Sequence, residues 1–122
     1  MVFAAGLGTR MRPLTLTTPK PMIEVAGRPL IDHMLDRLVE AGVERAVVNV
    51  HWLADQIEDH VKRRADIEVI VSDEREKLLD QGGGVLKAWR HLDDGPILVC
   101  NTDAIWLPSG GWTLRRLFDA WD

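Results

Sequence analysis

The chain has 122 residues, enough for one domain or part of one, and sets 15 Lys+Arg against 19 Asp+Glu for a formal charge of −4. A protein that coats nucleic acid normally shows a basic excess, so that class is set aside. With 46% hydrophobic and 28% charged residues the chain is neither disordered nor a membrane protein, and no apolar run approaches the roughly 20 residues a membrane helix needs.

Residues 1–5 are a short apolar run that leads straight into a glycine-rich loop. Residues 29–41 carry the clearest helix: Leu30, Ile31, Met34, Leu35, Leu38 and Val39 recur with helical spacing and form one apolar stripe. Pro29 suits its first turn and Gly42 its C-terminal cap. Arg45–Val50, with Ala46-Val47-Val48, reads as a buried strand, and residues 53–63 as a helix with Leu53, Ile57 and Val61 four apart. Residues 67–71 alternate and are β-branched, which predicts a strand. A helix over 83–92 is expected after a triple glycine, then an apolar strand over 96–100 and a last helix over 112–121.

Strands separated by helices imply βαβ units, hence an α/β fold with a mostly parallel sheet and helices on both faces. There is no repeat, low-complexity tract or linker, so residues 1–122 are read as one unit. Both ends read as cut short. The first strand starts at residue 1, and the last helix ends at Trp121-Asp122 without a cap, leaving Trp112, Leu114, Leu117, Phe118 and Trp121 in need of a surface. The expectation is therefore the N-terminal portion of a longer domain. The start lacks the charged segment and apolar stretch of a secretory signal. A single cysteine, Cys100, forms no internal disulfide, so a reducing cytoplasm and a buried, inert thiol are expected.

Gly6-Leu7-Gly8-Thr9-Arg10-Met11-Arg12-Pro13 follows the first strand directly. Glycines there let backbone N–H groups approach a phosphate, and arginines match phosphate oxygens. The segment lacks the Gly-Lys-Ser/Thr of a P-loop. Met11 stands where a dinucleotide-binding fingerprint needs Gly or Ala, which weakens a hydride-transfer reading. An NAD(P) domain would also need an acidic residue after the second strand; Asp55 and Glu58 lie there, on a helix.

The compound pattern Gly6-x-Gly8-Thr9-Arg10-Met11-Arg12-Pro13-Leu14-Thr15, then Pro19-Lys20-Pro21-Met22, resembles the signature of nucleoside-triphosphate:sugar-1-phosphate nucleotidyltransferases. Val25-x-Gly27-x-Pro29-Leu30 matches the start of that family's first long helix. Asn49-x-His51-Trp52-Leu53 with Gln56-Ile57 looks like the small bacterial members, N-acetylmuramate-1-phosphate uridylyltransferases and mannose-1-phosphate guanylyltransferases. Asp80-Gln81-Gly82-Gly83-Gly84 resembles their Glu-Thr-Gly-Gly-Gly, with a departure at the first two positions that leaves the base contacts open. Asn101-Thr102-Asp103 resembles the segment carrying the metal-binding aspartate.

The resemblance implies a Rossmann-like three-layer nucleotide-diphospho-sugar transferase fold. It implies transfer of a nucleoside monophosphate from UTP or GTP to a sugar-1-phosphate, with Mg²⁺, in supply of a cell-envelope precursor. Ala5, Gly6, Leu7, Gly8 and Thr9 would cradle the triphosphate, Arg10 would grip the leaving pyrophosphate, Lys20 would reach the phosphates, and Asp103 would hold Mg²⁺. Gln81, Gly82 and Gly83 would lie along the base, although Gln81 equally suits solvent. The second metal ligand and the sugar pocket fall beyond residue 122 in that family. A catalytically silent nucleotide-binding module of the same fold is the alternative. Arg12 is open between a salt bridge and a phosphate contact. His33 and His60 are expected in solvent, His51 near the ligand edge, Asn49 in a structural hydrogen bond, and the tryptophans in packing, with Trp106 beside Asp103 the one to watch.

Overall fold

The computed structural model describes residues 1–107 and 113–122. Strand β1 is Val2–Phe3. A hairpin of β2 (Glu24–Val25) and β3 (Arg28–Pro29) leads into helix α1 (Leu30–Glu40). Then come β4 (Arg45–Val50), α2 (Ala54–Val61), β5 (Glu68–Asp73), α3 (Gln81–Ala88), β6 (Cys100–Asn101) and α4 (Thr113–Asp119). Strands β5, β4, β1 and β6 lie side by side in that order, all parallel, with Val2 opposite Val48 on one side and Cys100 on the other.

The pleat sends alternate side chains to opposite faces. Val2, Ala4, Ala46, Val48 and Val50 meet Ile31, Met34, Leu35, Leu38, Ile57 and Val61 from α1 and α2. Met1 and Val47 meet Ala88 on the other face, with Phe3, Ile70 and Val85 packed around them. The expected α/β architecture with helices on both faces is what the chain adopts. The α1 stripe is buried as the spacing predicts, each large side chain contributing about 1.5–3 kcal/mol. The helix stops where Gly42 takes φ 85 and lets Gly42 N–H reach Val39 O and Val43 N–H reach Leu38 O, both at 2.9 Å.

Four expectations change. Helix α3 begins at Gln81, so the three glycines lie in its first turn and do not precede it. The strand over 96–100 shrinks to Cys100–Asn101, although Cys100 N–H still bonds Met1 O at 2.9 Å beside β1. The last helix is Thr113–Asp119, and Trp112 lies outside the described residues. Leu114 and Trp106 pack on the α1 side, but Trp89 is 54% and Trp121 70% exposed, so packing does not account for every tryptophan. Among the described residues no helix is long and apolar enough to cross a membrane.

Strand order places the site. The chain runs from β1 to β4 and β5 on one side, then returns to lay β6 on the other side of β1. Such a reversal opens a crevice at the carboxyl ends of the strands it separates. Here those ends are residues 4–6 and 102–103.

Candidate functional site

The glycine loop leaves β1 at a fixed point. Ala4 N–H donates to Asn49 Oδ1 at 2.8 Å, and Thr102 Oγ1 donates to Phe3 O at 3.0 Å. Ala5 is buried, while Gly6 and Leu7 emerge. A side chain at Gly6 would meet no atom within 4 Å, so the protein's own packing does not require glycine there. Gly8 is different. It sits at φ 62, and an added Cβ would lie 2.7 Å from Thr15 Cγ2. Thr15 Oγ1 donates to Gly8 O at 2.6 Å, and Met11 N–H to the same oxygen at 3.0 Å, which folds Thr9–Met11 into a single 3-10 turn.

The second half of the loop is braced from the β4–α2 junction. Trp52 Nε1 donates to Thr15 O at 2.7 Å and Gln56 Nε2 to Thr17 O at 2.9 Å. Buried Pro19 and Pro21 flank Lys20 and limit its backbone. Lys20 Nζ donates to Asp103 Oδ2 at 2.5 Å across the crevice, with side chains 23% and 44% exposed. The Lys20 ammonium holds the Asp103 carboxyl below the usual carboxylate range, and the Arg10 charge adds to this.

A cavity of about 250 Å³ lies between Ala5, Gly6, Lys20, Gln81, Asn101 and Asp103. A second, of about 620 Å³, shares Gly6 and Lys20 with it and extends along Leu7, Gly8, Thr9 and Arg10. Of the predicted residues, Ala5, Gly6, Leu7, Gly8, Thr9, Arg10, Lys20, Gln81 and Asp103 thus line these two adjoining cavities, whereas Gly82 and Gly83 line neither. Gln81 Nε2 sits 3.5 Å from Asn101 Oδ1, a marginal contact. Gly82 is exposed with open space around it, and an added Cβ at Gly83 would meet Leu79 Cβ at 3.1 Å. The backbone N–H groups of Gln81, Gly82 and Gly83 open the helix and have no intrahelical acceptor. A further cavity of about 500 Å³ opens at the opposite end of the sheet, beside Arg45 and Glu68, and holds none of the signature residues.

The other candidates disperse. Arg10 and Arg12 are exposed and form no ion pair among the described residues. His33 Nε2 bonds Val25 O at 2.7 Å and His60 Nε2 bonds Asp32 at 2.9 Å, so neither is simply solvated. His51 Nδ1 bonds Glu74 O at 2.6 Å and points to structure. Cys100 is buried, and burial pushes its thiol up. Trp106 packs against the core. Asp55 and Glu58 are both held by Arg75 at 2.6 Å on the outer surface, which removes the acidic partner a dinucleotide would need. No group of three or more His, Cys, Asp or Glu side chains able to hold a metal occurs among the described residues. Glu74 carries no signal in the sequence, and Thr15 and Thr102 stand in the motifs without a role; all three are buried, Glu74 and Thr15 bonding to loop backbone and Thr102 to the end of β1.

The chain is similar to several known proteins. The family model of the MobA-like NTP transferase domain matches residues 1–122. An N-acetylmuramate alpha-1-phosphate uridylyltransferase from Caulobacter vibrioides is 52% identical over all of this chain and 52% of its own length. A mannose-1-phosphate guanylyltransferase catalytic subunit beta from Drosophila pseudoobscura pseudoobscura is 39% identical over 86% of this chain and 29% of its own. A crystal structure of apo UDP-glucose pyrophosphorylase superposes with a TM-score of 0.85 at 20% identity, covering 97% of this chain and 52% of that one, which bears on the fold alone. The chain spans about half the length, or less, of the curated relatives it matches.

Proposed function

The chain belongs to the family of MobA-like NTP transferase domains, and we propose that the protein carrying it transfers a nucleoside monophosphate from UTP or GTP to a sugar-1-phosphate. A phosphate oxygen of the sugar-1-phosphate attacks the α-phosphorus. The new Pα–O bond forms as the bond to the β-phosphate oxygen breaks, and pyrophosphate leaves with that electron pair. The nucleophile is already an anion, so no strong general base is required. Catalysis is then a matter of positioning two polyanions and stabilising the charge that develops.

The observation that carries this reading is the meeting of the loop at 5–9, Lys20 and Asp103 on one cleft at the carboxyl ends of β1 and β6. In the proposed roles, loop N–H groups and Arg10 hold the triphosphate, Lys20 bridges donor and acceptor phosphates, and residues 81–83 flank the base. Mg²⁺ is usually held by one or two carboxylates together with substrate phosphates, and Asp103, half-exposed on the cleft, fits that share of the donor set. When bound, Mg²⁺ would offset the charge on the departing pyrophosphate. UTP is favoured over GTP by the similarity to the uridylyltransferase. The proposed product is a cell-envelope precursor, and the single free cysteine fits a cytoplasmic setting. The test is pyrophosphate release by the full-length protein with UTP or GTP and a panel of sugar-1-phosphates. Turnover is expected, with Arg10→Ala and Asp103→Asn each slowing it about a hundredfold or more, the scale of a single electrostatic group in catalysis. Binding without turnover would indicate a silent relative, and full activity of Asp103→Asn would remove the metal role.

A further inference from the structure

Glu74 is the only fully buried carboxylate among the described residues, at 0% exposure, and it follows directly on β5. It forms no ion pair among the described residues; instead its two oxygens serve different partners. Oε1 accepts from Asn49 Nδ2 at 2.9 Å and Oε2 from Leu79 N–H at 3.0 Å. Asn49, itself buried, turns its Oδ1 to Ala4 N–H at 2.8 Å. A line of hydrogen bonds thus runs from the backbone where β1 enters the glycine loop to the backbone just before α3. Its backbone is also fixed: Glu74 N–H donates to Val50 O at 2.8 Å and Glu74 O accepts from His51 at 2.6 Å. Gly84 lies against this line, where an added Cβ would sit 3.0 Å from Glu74 Oε1 and 3.1 Å from Asn49 Nδ2. The third glycine of the triplet is therefore explained by this pair and not by a ligand.

Buried polar groups that are fully matched fix geometry, and unmatched ones are costly. We propose that Glu74 is a positioning residue for the nucleotide site: through Asn49 it sets the spacing between the triphosphate loop at residues 4–8 and the base-side loop at residues 78–83. It touches no substrate. The proposal rests on reading the cleft as a nucleoside triphosphate site.

The network has a direction, and this supplies the test. Glu74→Gln offers one acceptor where two donors arrive. Asn49→Asp alone opposes two carboxylates. The double variant Asn49→Asp/Glu74→Gln reverses the bond between the two side chains. The introduced amide donates to the introduced carboxylate and keeps its carbonyl for Leu79 N–H, while the other carboxylate oxygen takes Ala4 N–H. Net charge is unchanged, and the line holds as many matched hydrogen bonds as the native one.

In the full-length protein, UTP affinity and amide hydrogen exchange are measured well below each variant's melting midpoint. Glu74→Gln is expected to weaken UTP binding about tenfold, the scale of one lost hydrogen bond to a charged group. Exchange should quicken in segments 3–8 and 78–84 together, while residues 45–48 of β4 keep their protection, which a general loss of stability would not allow. The double variant is expected to restore both affinity and protection. Wild-type binding with an unchanged Glu74→Gln variant, loosening of one segment alone, or no rescue in the double variant overturns the proposal. If Glu74→Gln fails to fold, the double variant must fold and bind UTP, and its failure is also decisive against it. Wild-type protein that binds neither UTP nor GTP overturns the functional reading itself, a result distinct from the others.

Discussion

Gly6 and Gly8 stand two residues apart and answer to different constraints. Gly8 combines a left-handed φ of 62 with a Cβ clash at 2.7 Å from Thr15 Cγ2. Gly8→Ala is expected to cost about 1–3 kcal/mol in denaturant unfolding, the range for strained backbone positions. Gly6 has open space and no such φ. Gly6→Ala should stay within about 0.5 kcal/mol in stability, as surface substitutions do, yet weaken UTP binding because the new methyl group lies beside the cleft. The reverse pattern would contradict the loop assignment. The glycine and arginine pattern was legible in the sequence because it is local. Glu74 was not. In the run Asp73-Glu74-Arg75-Glu76-Lys77 it looks like one charge of a solvated stretch. Its burial comes from Asn49 and Leu79, which the sequence does not place beside it.

Helix α1 and strand β4 were legible as elements because each carries a sustained pattern and is buried along it. The β2–β3 hairpin was not, since strands of two residues leave too little pattern to read. Helix α3 shows propensity yielding to tertiary contact. Three glycines disfavour a helix, but close packing of Gly84 on Asn49 and Glu74 holds them in its first turn. Between α2 and β5, Arg75 binds Asp55, Glu58 and Asp73, each at 2.6 Å. The Asp73 carboxyl is held low first by the Arg75 backbone N–H and then by its side chain, and that of Glu58 by Lys62 and then Arg75. Carboxyls held low in the native state add stability above their unfolded pKa of about 4 and lose it as pH falls through the native value. Arg75→Ala should therefore destabilise at pH 7 by no more than about 1 kcal/mol, as exposed pairs do. The difference should close toward about pH 2. Urea unfolding across that range checks it, and a gap that widens on acidification would be the wrong sign.

For the molecule as a whole, strand order sets the two ends of the sheet apart in what they carry. The carboxyl ends of β1 and β6 gather the loop, Lys20 and Asp103, whereas the opposite end carries Arg45 paired with Glu68 at 2.7 Å. Arg45→Ala is expected to leave kcat/KM of the full-length protein within about twofold, since surface charges remote from the chemistry change little. A large loss would mean that the other cavity takes part. The sequence could not say which end was which, because that depends on how strands far apart in the chain lie side by side. Calorimetric titration of the full-length protein with UTP, GTP and NAD, with and without Mg²⁺, beside an Arg10→Ala variant, tests the nucleotide site most directly. UTP or GTP is expected to bind, more tightly with Mg²⁺, and the variant to lose this. Binding of NAD alone, or triphosphate binding indifferent to both Mg²⁺ and Arg10, would contradict it.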